Sequence, residues 1–174
     1  MTGQLVRVHR SISGEFFTSV YRVTGRVSFG GMGIVSVLTD STRSTMMIED
    51  AYIALIAQPS TIISNRASVH LPKAALDLMV FGKNDNIGLD VLRGNTVRVT
   101  RHKVFLATST FEVRGQLDTG SGKFDPELFL TNVVSKFIPI LNVSANANFL
   151  TKAVYSGEVA LVNRSHIDLI AADE

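Results

Sequence analysis

No cysteine and no tryptophan occur in these 174 residues. The first absence excludes disulfides, thiolate metal sites and cysteine nucleophiles together. The second, with aromatic residues at only 7%, leaves poor equipment for stacking the bases of a single strand. Charge is also scarce: charged residues make up 18% and the net charge is +2. The first 90 residues hold 8 Lys/Arg against 7 Asp/Glu, and the remainder 9 against 8. Neither half carries the lopsided basic excess of a typical nucleic-acid binder. Long apolar runs are missing as well. The greasiest stretch, "MMIEDAYIALIA", is broken by Glu49 and Asp50 and is too short for a membrane span. The opening "MTGQLVRVHR" has no apolar core of the kind a secretory signal needs. A cytoplasmic protein with no membrane partner is the expectation. The tripeptides "NVS" at 142–144 and "NRS" at 163–165 match the glycosylation acceptor pattern as chance matches to a very short motif.

What is present is 45% apolar residues, ample for a core, and a repeat. "QLVRVHR" at 4–10 and "NTVRVTR" at 95–101 are the same basic, alternating strand, with Val6 and Val97 separated by 91 positions. Further matches follow in order along the chain. "YRVTGRV" faces "FEVRGQL", with Gly25 on Gly115. "LTD" at 38–40 faces "LTN" at 130–132, and "ALDLMV" faces "HIDLIA", with Asp77 on Asp168. The spacing drifts only between 90 and 92. Two copies are therefore expected, at 4–80 and 95–172, with a linker at 81–94. The linker's Asn, Asp and Gly punctuation predicts turns. Its apolar Ile87, Leu89, Val91 and Leu92 predict that it packs and that the copies share an interface.

Within a copy the strand pattern dominates. "LVRVHR" alternates apolar and basic residues, which puts Arg7 on the face opposite Val6 and Val8. "VYRVTGRVSF" alternates too, interrupted by Gly25, and an interior strand glycine marks a bulge or a close backbone approach. Its twin Gly115 gives both glycines a structural role. A helix is predicted in "FDPELFLTNVVSK": Asp125 suits the N-cap, Pro126 the first helical position and Glu127 the positive end of the dipole. Leu128, Leu130, Val133 and Val134 can gather on one side. "GMGIVSVLTDS" is the weaker helix of the first copy. Each copy closes on a short apolar strand centred on Asp77 or Asp168, structural residues predicted to point outward. The fold class is mainly β, with one short helix per copy, in two tandem small barrels or bent sheets that form a pseudo-dimer.

The segments "VALVNRSHIDLI" and "SVHLPKAALDLM" resemble the second signature of Sm-like barrels, a strand, a tight break and a strand. "RSTMMIEDAYI" resembles the end of the first signature. Asn163-Arg164 and Pro72-Lys73 stand where those signatures carry Arg-Gly. The whole plan is similar to a family of small bacterial β-rich domains ending in "VNR-x-x-I-x-L-I". That resemblance implies a fold and no activity.

Candidate chemistry is sparse. "GGMG" at 30–33 and "TGSGKF" at 119–124 lack the spacing and the Ser/Thr of phosphate-cradling loops, and both read as surface turns. His9, His70, His102 and His166 show no metal-ligand spacing. No metal and no cofactor is expected. Glu49-Asp50, set against Asn142-Val143, reads as a local turn or a sheet-edge charge. The repeated basic residues Arg7, Arg10, Arg98 and Arg101, with Lys103, are the candidate binding set, able to meet phosphate or acidic protein surface. The sequence thus favours a non-enzymatic interaction or assembly module that engages another protein or its own kind. An RNA-binding Sm-like protein using the basic strand pairs comes second, and an enzyme third.

Overall fold

The computed structural model describes residues 10–93, 98–120, 122–131, 135–149 and 152–172. The first half of the chain runs β1 (Arg10–Phe17), β2 (Tyr21–Phe29), α1 (Ile34–Thr39), β3 (Thr45–Leu55), β4 (Gln58–Pro72) and β5 (Leu78–Phe81). After α2 (Leu89–Arg93) come β6 (Thr100–Thr108), β7 (Phe111–Thr119), α3 (Pro126–Thr131), β8 (Phe137–Ala147), β9 (Val154–Asn163) and β10 (Ile167–Ala172). A 3₁₀ turn precedes β5 at Lys73–Ala75 and another precedes β10 at Arg164–His166. The class is mainly β. All ten strands form one antiparallel sheet, ordered β10-β6-β7-β8-β9-β5-β1-β2-β3-β4. Neither half closes into a barrel of its own. The second five strands take the same relative order as the first five, and β5 against β9 joins the two sets.

Local chemistry explains the matching elements. The β1–β2 turn is held by the Thr18 hydroxyl, which accepts the N–H groups of Tyr21 and Val20 at 2.9 and 3.3 Å. Thr108 does the same for Phe111 and Thr110 at 3.1 and 3.2 Å. Such a hydroxyl imitates a backbone acceptor and sets a tight turn. The carboxylate of Asp125 caps α3, accepting from Glu127 and Leu128 N–H at 3.0 and 3.1 Å. The expected apolar side of α3 does not gather: Leu128 and Leu130 are exposed, and Phe129 packs against the core instead. Val133 and Val134 lie outside the described residues.

The register of β2 on β3 shifts between Thr24 and Arg26, and that of β7 on β8 between Arg114 and Gln116. A β-carbon on Gly25 would lie 2.5 Å from Ile48 Cγ2 and 2.6 Å from the Glu49 carbonyl; on Gly115, 2.4 Å from Ile140 Cγ2 and 2.7 Å from the Leu141 carbonyl. Opposite each glycine a residue turns left-handed, Asp50 and Asn142, both at φ 49°. Asp and Asn are the side chains that tolerate that region best. Asn142 therefore corresponds to Asp50, and not to Glu49 as the linear match suggested.

Two apolar cores lie against this sheet, and the central strands serve both. Met79 and Phe81 of β5, Phe16 of β1, and Val159 and Leu161 of β9 belong to one core, with Val23, Ile48 and Ile34. Leu78, Val80, Phe17, Ala160 and Val162, alternating with them, belong to the other, with Val104, Phe111 and Ile140. The linker contributes as well: Ile87 is buried in the first core and Leu89 packs on it, while Val91 is exposed.

The glycines at the bulges give a direct test. Gly115→Ala must push Ile140 or the β8 backbone aside, and overpacking of this kind costs about 1–3 kcal/mol. Gly30→Ala, with nothing within 4 Å of the new carbon, should stay within about 0.5 kcal/mol of the parent. Urea unfolding of both variants checks the contrast.

Candidate interaction site

Where β5 meets the second half of the chain, a small polar island sits in the apolar wall. Asp77 is 1% exposed. The expectation that it points outward fails because the second half of the chain covers it. Its Oδ2 accepts the Thr108 hydroxyl at 2.9 Å. Its Oδ1 faces His166 Nδ1 at 3.4 Å and accepts no hydrogen bond among the described residues. Its backbone N–H donates to Phe17 and its carbonyl accepts from Asn163, at 2.8 and 2.9 Å. Buried Asn163 also donates through Nδ2 to the Leu76 carbonyl at 2.8 Å. Burial raises the Asp77 pKa above the ordinary aspartate value, against the pull of Thr108, Thr110 and His166. Asp168, its sequence counterpart in β10, is exposed. One motif thus stands in two environments, set by whether another unit covers it.

The outer strands of the described sheet are β4 and β10. Beside β4 runs an apolar groove of about 280 Å³, lined by Thr18, Tyr21, Val23, Ile53, Ile63, Ser64, Val69 and Leu71. Tyr21 is 44% exposed, yet Phe111, at the same place in the second half, is fully buried. Phe111 is buried because Phe17 reaches across the junction, with ring centroids 5.0 Å apart. On β10, Leu169 is 48% exposed, whereas Leu78, its counterpart on β5, is fully buried.

Among the described residues, the basic residues singled out in the sequence are divided between Arg10 on β1 and Arg98, Arg101 and Lys103 at β6. Arg7 lies outside the described residues. Arg10 opens β1 and is exposed, as are Arg98, Arg101 and Lys103. Four strands separate β1 from β6 in the sheet order. Arg101 grips Asp118 on its own hairpin with two hydrogen bonds, 2.7 and 3.2 Å, so that guanidinium already holds a carboxylate. A different set of cations does meet. Arg43, Lys73, Lys136 and Arg164 line a cleft of about 900 Å³ with Asp40 among them. Lys73 donates to the Asp40 carbonyl at 2.7 Å. Its pKa is lowered, first by burial and then by repulsion from Lys136 and Arg43, despite attraction to Asp40. Arg164 is tied to the Ser135 carbonyl at 3.0 Å and lies over the Phe129 ring.

Sequence reasoning passed over the groove residues and Leu169. The available signal was the alternation of Tyr21 with Val23 and of Val69 with Leu71, which puts each pair on one strand face. Among the described residues, no group of three His, Asp or Glu side chains could hold a metal ion, and no helix is long and apolar enough to cross a membrane.

The buried carboxyl sets a pH dependence. Its folded pKa lies above the unfolded value of about 3.8, so between the two the folded state holds more protons than the unfolded state. Stability from this group is then greatest at acid pH and is lost as pH rises through the folded pKa. Asp77→Asn keeps an acceptor for Thr108 and removes the charge. It should flatten that part of the stability–pH curve and raise stability above the window. Thr108→Val, which strips a donor from a buried carboxylate, should cost about 1–3 kcal/mol. Thermal melts between pH 3 and 8 read both effects.

No protein-family model, curated protein or solved structure matches the chain, so a functional reading has to rest on the chain's own geometry.

Proposed function

We propose that the protein is a non-enzymatic assembly module: two tandem copies of one β-rich unit that associate with other chains through an outer strand and its groove. The observation that carries this reading is the unequal exposure of matching positions. Tyr21 and Leu169 lie at the surface, while Phe111 and Leu78 are buried where one unit covers the next. Exposed β edges flanked by apolar side chains are templates for pairing with another chain. The duplication supplies the same edges twice, once satisfied and once open.

RNA binding is the second reading, and one feature favours it. The cleft around Arg43, Lys73, Lys136 and Arg164 gathers more positive charge than the strand arginines do, and suits an anion better. Against it stand the balanced charge and the low aromatic content, which leave little for base recognition.

One pair of measurements separates the two. Sedimentation velocity over a hundredfold range of protein concentration should show a sedimentation coefficient that rises with concentration. Labelled RNA titrated at 50 and 200 mM salt should bind weakly, at about micromolar or poorer, as non-specific phosphate contacts do at physiological salt. A protein that stays monomeric throughout, or an RNA complex that is tight at the higher salt and lost when Lys73 and Arg43 become Gln, overturns the proposal.

A further inference from the structure

The internal junction is a worked example of how this unit binds its neighbour. β5 pairs with β9 so that Leu78 faces Val162, Met79 faces Leu161 and Val80 faces Ala160. Leu78 and Val80 then enter the core that Phe111, Val113 and Ala160 floor. Those floor positions correspond in the first half to Tyr21, Val23 and Val69, which line the open groove. The correspondence is geometric. Val23 pairs with Ile53 as Val113 pairs with Ala145, and Ile48 with Val69 as Ile140 with Ala160.

Resting on the assembly reading above, we infer that the groove is filled by β10 of a second copy of this chain, so that chains join head to tail. In the register of the junction, Leu169 faces Leu71, Ile170 faces His70 and Ala171 faces Val69. The side chains fit a second copy in a specific way. At the junction Val80 meets Ala160; between chains Ala171 meets Val69, the same two side chains exchanged. Ala107 of β6 stands where Phe17 stands in β1, each beside its leucine, while Ile53 replaces Ala145 on the floor. The smaller projecting residues face a fuller groove, so combined volume is nearly kept, and cores tolerate swaps that conserve volume.

The polar end follows suit. Asp168 reaches the position of Asp77, and Thr18 offers the hydroxyl that Thr108 gives Asp77. Two departures limit the contact. Pro72 has no N–H to repeat the bond from Asn163 to the Asp77 carbonyl. Arg66 stands where Gly157 admits the Phe81 carbonyl, 2.3 Å from any added β-carbon, so pairing extends over Leu169–Ala171 and not to Ala172. The contact between chains is a weaker version of the one within a chain, and reversible. Because the two surfaces differ, the contact is heterologous: it closes into a ring or runs on as a filament.

Complementary variants test this. Leu169→Glu spoils the projecting strand and Tyr21→Glu spoils the groove, each at an exposed position. By sedimentation velocity each alone should be monomeric at concentrations where the parent chain associates. An equimolar mixture should form a heterodimer and nothing larger, since one good groove and one good strand remain. Circular dichroism melts identify a variant that fails to fold, and Leu169→Ser or Tyr21→Ser then replaces it. Association that survives either substitution, or a mixture that stays monomeric while the parent associates, overturns the head-to-tail arrangement and leaves the assembly reading intact. A parent chain that is itself monomeric removes that reading and this inference with it.

Discussion

A four-residue strand with no exposed face governs this fold. β5, "LMVF", is hydrogen-bonded to β1 on one side and β9 on the other, and all four side chains are buried. Each is worth roughly 1.5–3 kcal/mol on burial. Leu78 and Val80 gain theirs only where the second half of the chain covers them, Met79 and Phe81 where the first half does. Neither half can complete its core without this strand and its neighbour across the junction. The two halves of the chain therefore depend on one another for their cores, even though each carries its own set of turns and bulges.

The same junction explains why a carboxylate is retained inside it. Asp77 costs desolvation, and part of that cost is recovered from the hydroxyl of Thr108 and from His166 nearby. Its backbone groups meanwhile hold Phe17 and Asn163 in register. A buried polar group of this kind fixes which alignment is allowed, because a slip of one residue would strand the carboxylate among leucines and valines. Apolar contacts supply the affinity of one unit for the other, and Asp77 supplies the register.

The sequence disclosed the local devices more readily than their assembly. Gly25 and Gly115 were legible because a bulge needs a residue without a side chain, and Asp125 and Pro126 because helix starts have their own chemistry. Asp77 was misplaced because alternation assigns a residue between two leucines to the outer face of a strand, whereas the strand here begins only at Leu78 and Asp77 lies in the link just ahead of it, under the second half of the chain. The arginines drew attention as a repeated set, yet Arg10 and Arg101 end on strands far apart in one sheet. The cations that do meet, Arg43, Lys73, Lys136 and Arg164, come from four separate segments, and no spacing rule links them. Leu169 gave no signal of its own, and the alternation of Tyr21 with Val23 marks only a shared strand face, because the significance of both residues lies in what covers their counterparts.

A sheet whose two five-strand sets follow the same order, joined in line, faces a constraint of its own. The pair of edges consumed at the junction reappears, unconsumed, at its two ends. Natural sheets blunt such edges with charge, proline and polar residues, and β4 does so along part of its length through Arg66, Ser68 and Pro72. That protection flanks Val69 and Leu71 without covering the groove itself. At the other end, β10 keeps Leu169 exposed between Asp168 and Ile170. Blunting confined to the margins, with apolar side chains left open on both edges, would limit the length and strength of any contact formed there while preserving its register. An edge meant only to repel other chains would place its charge at the centre.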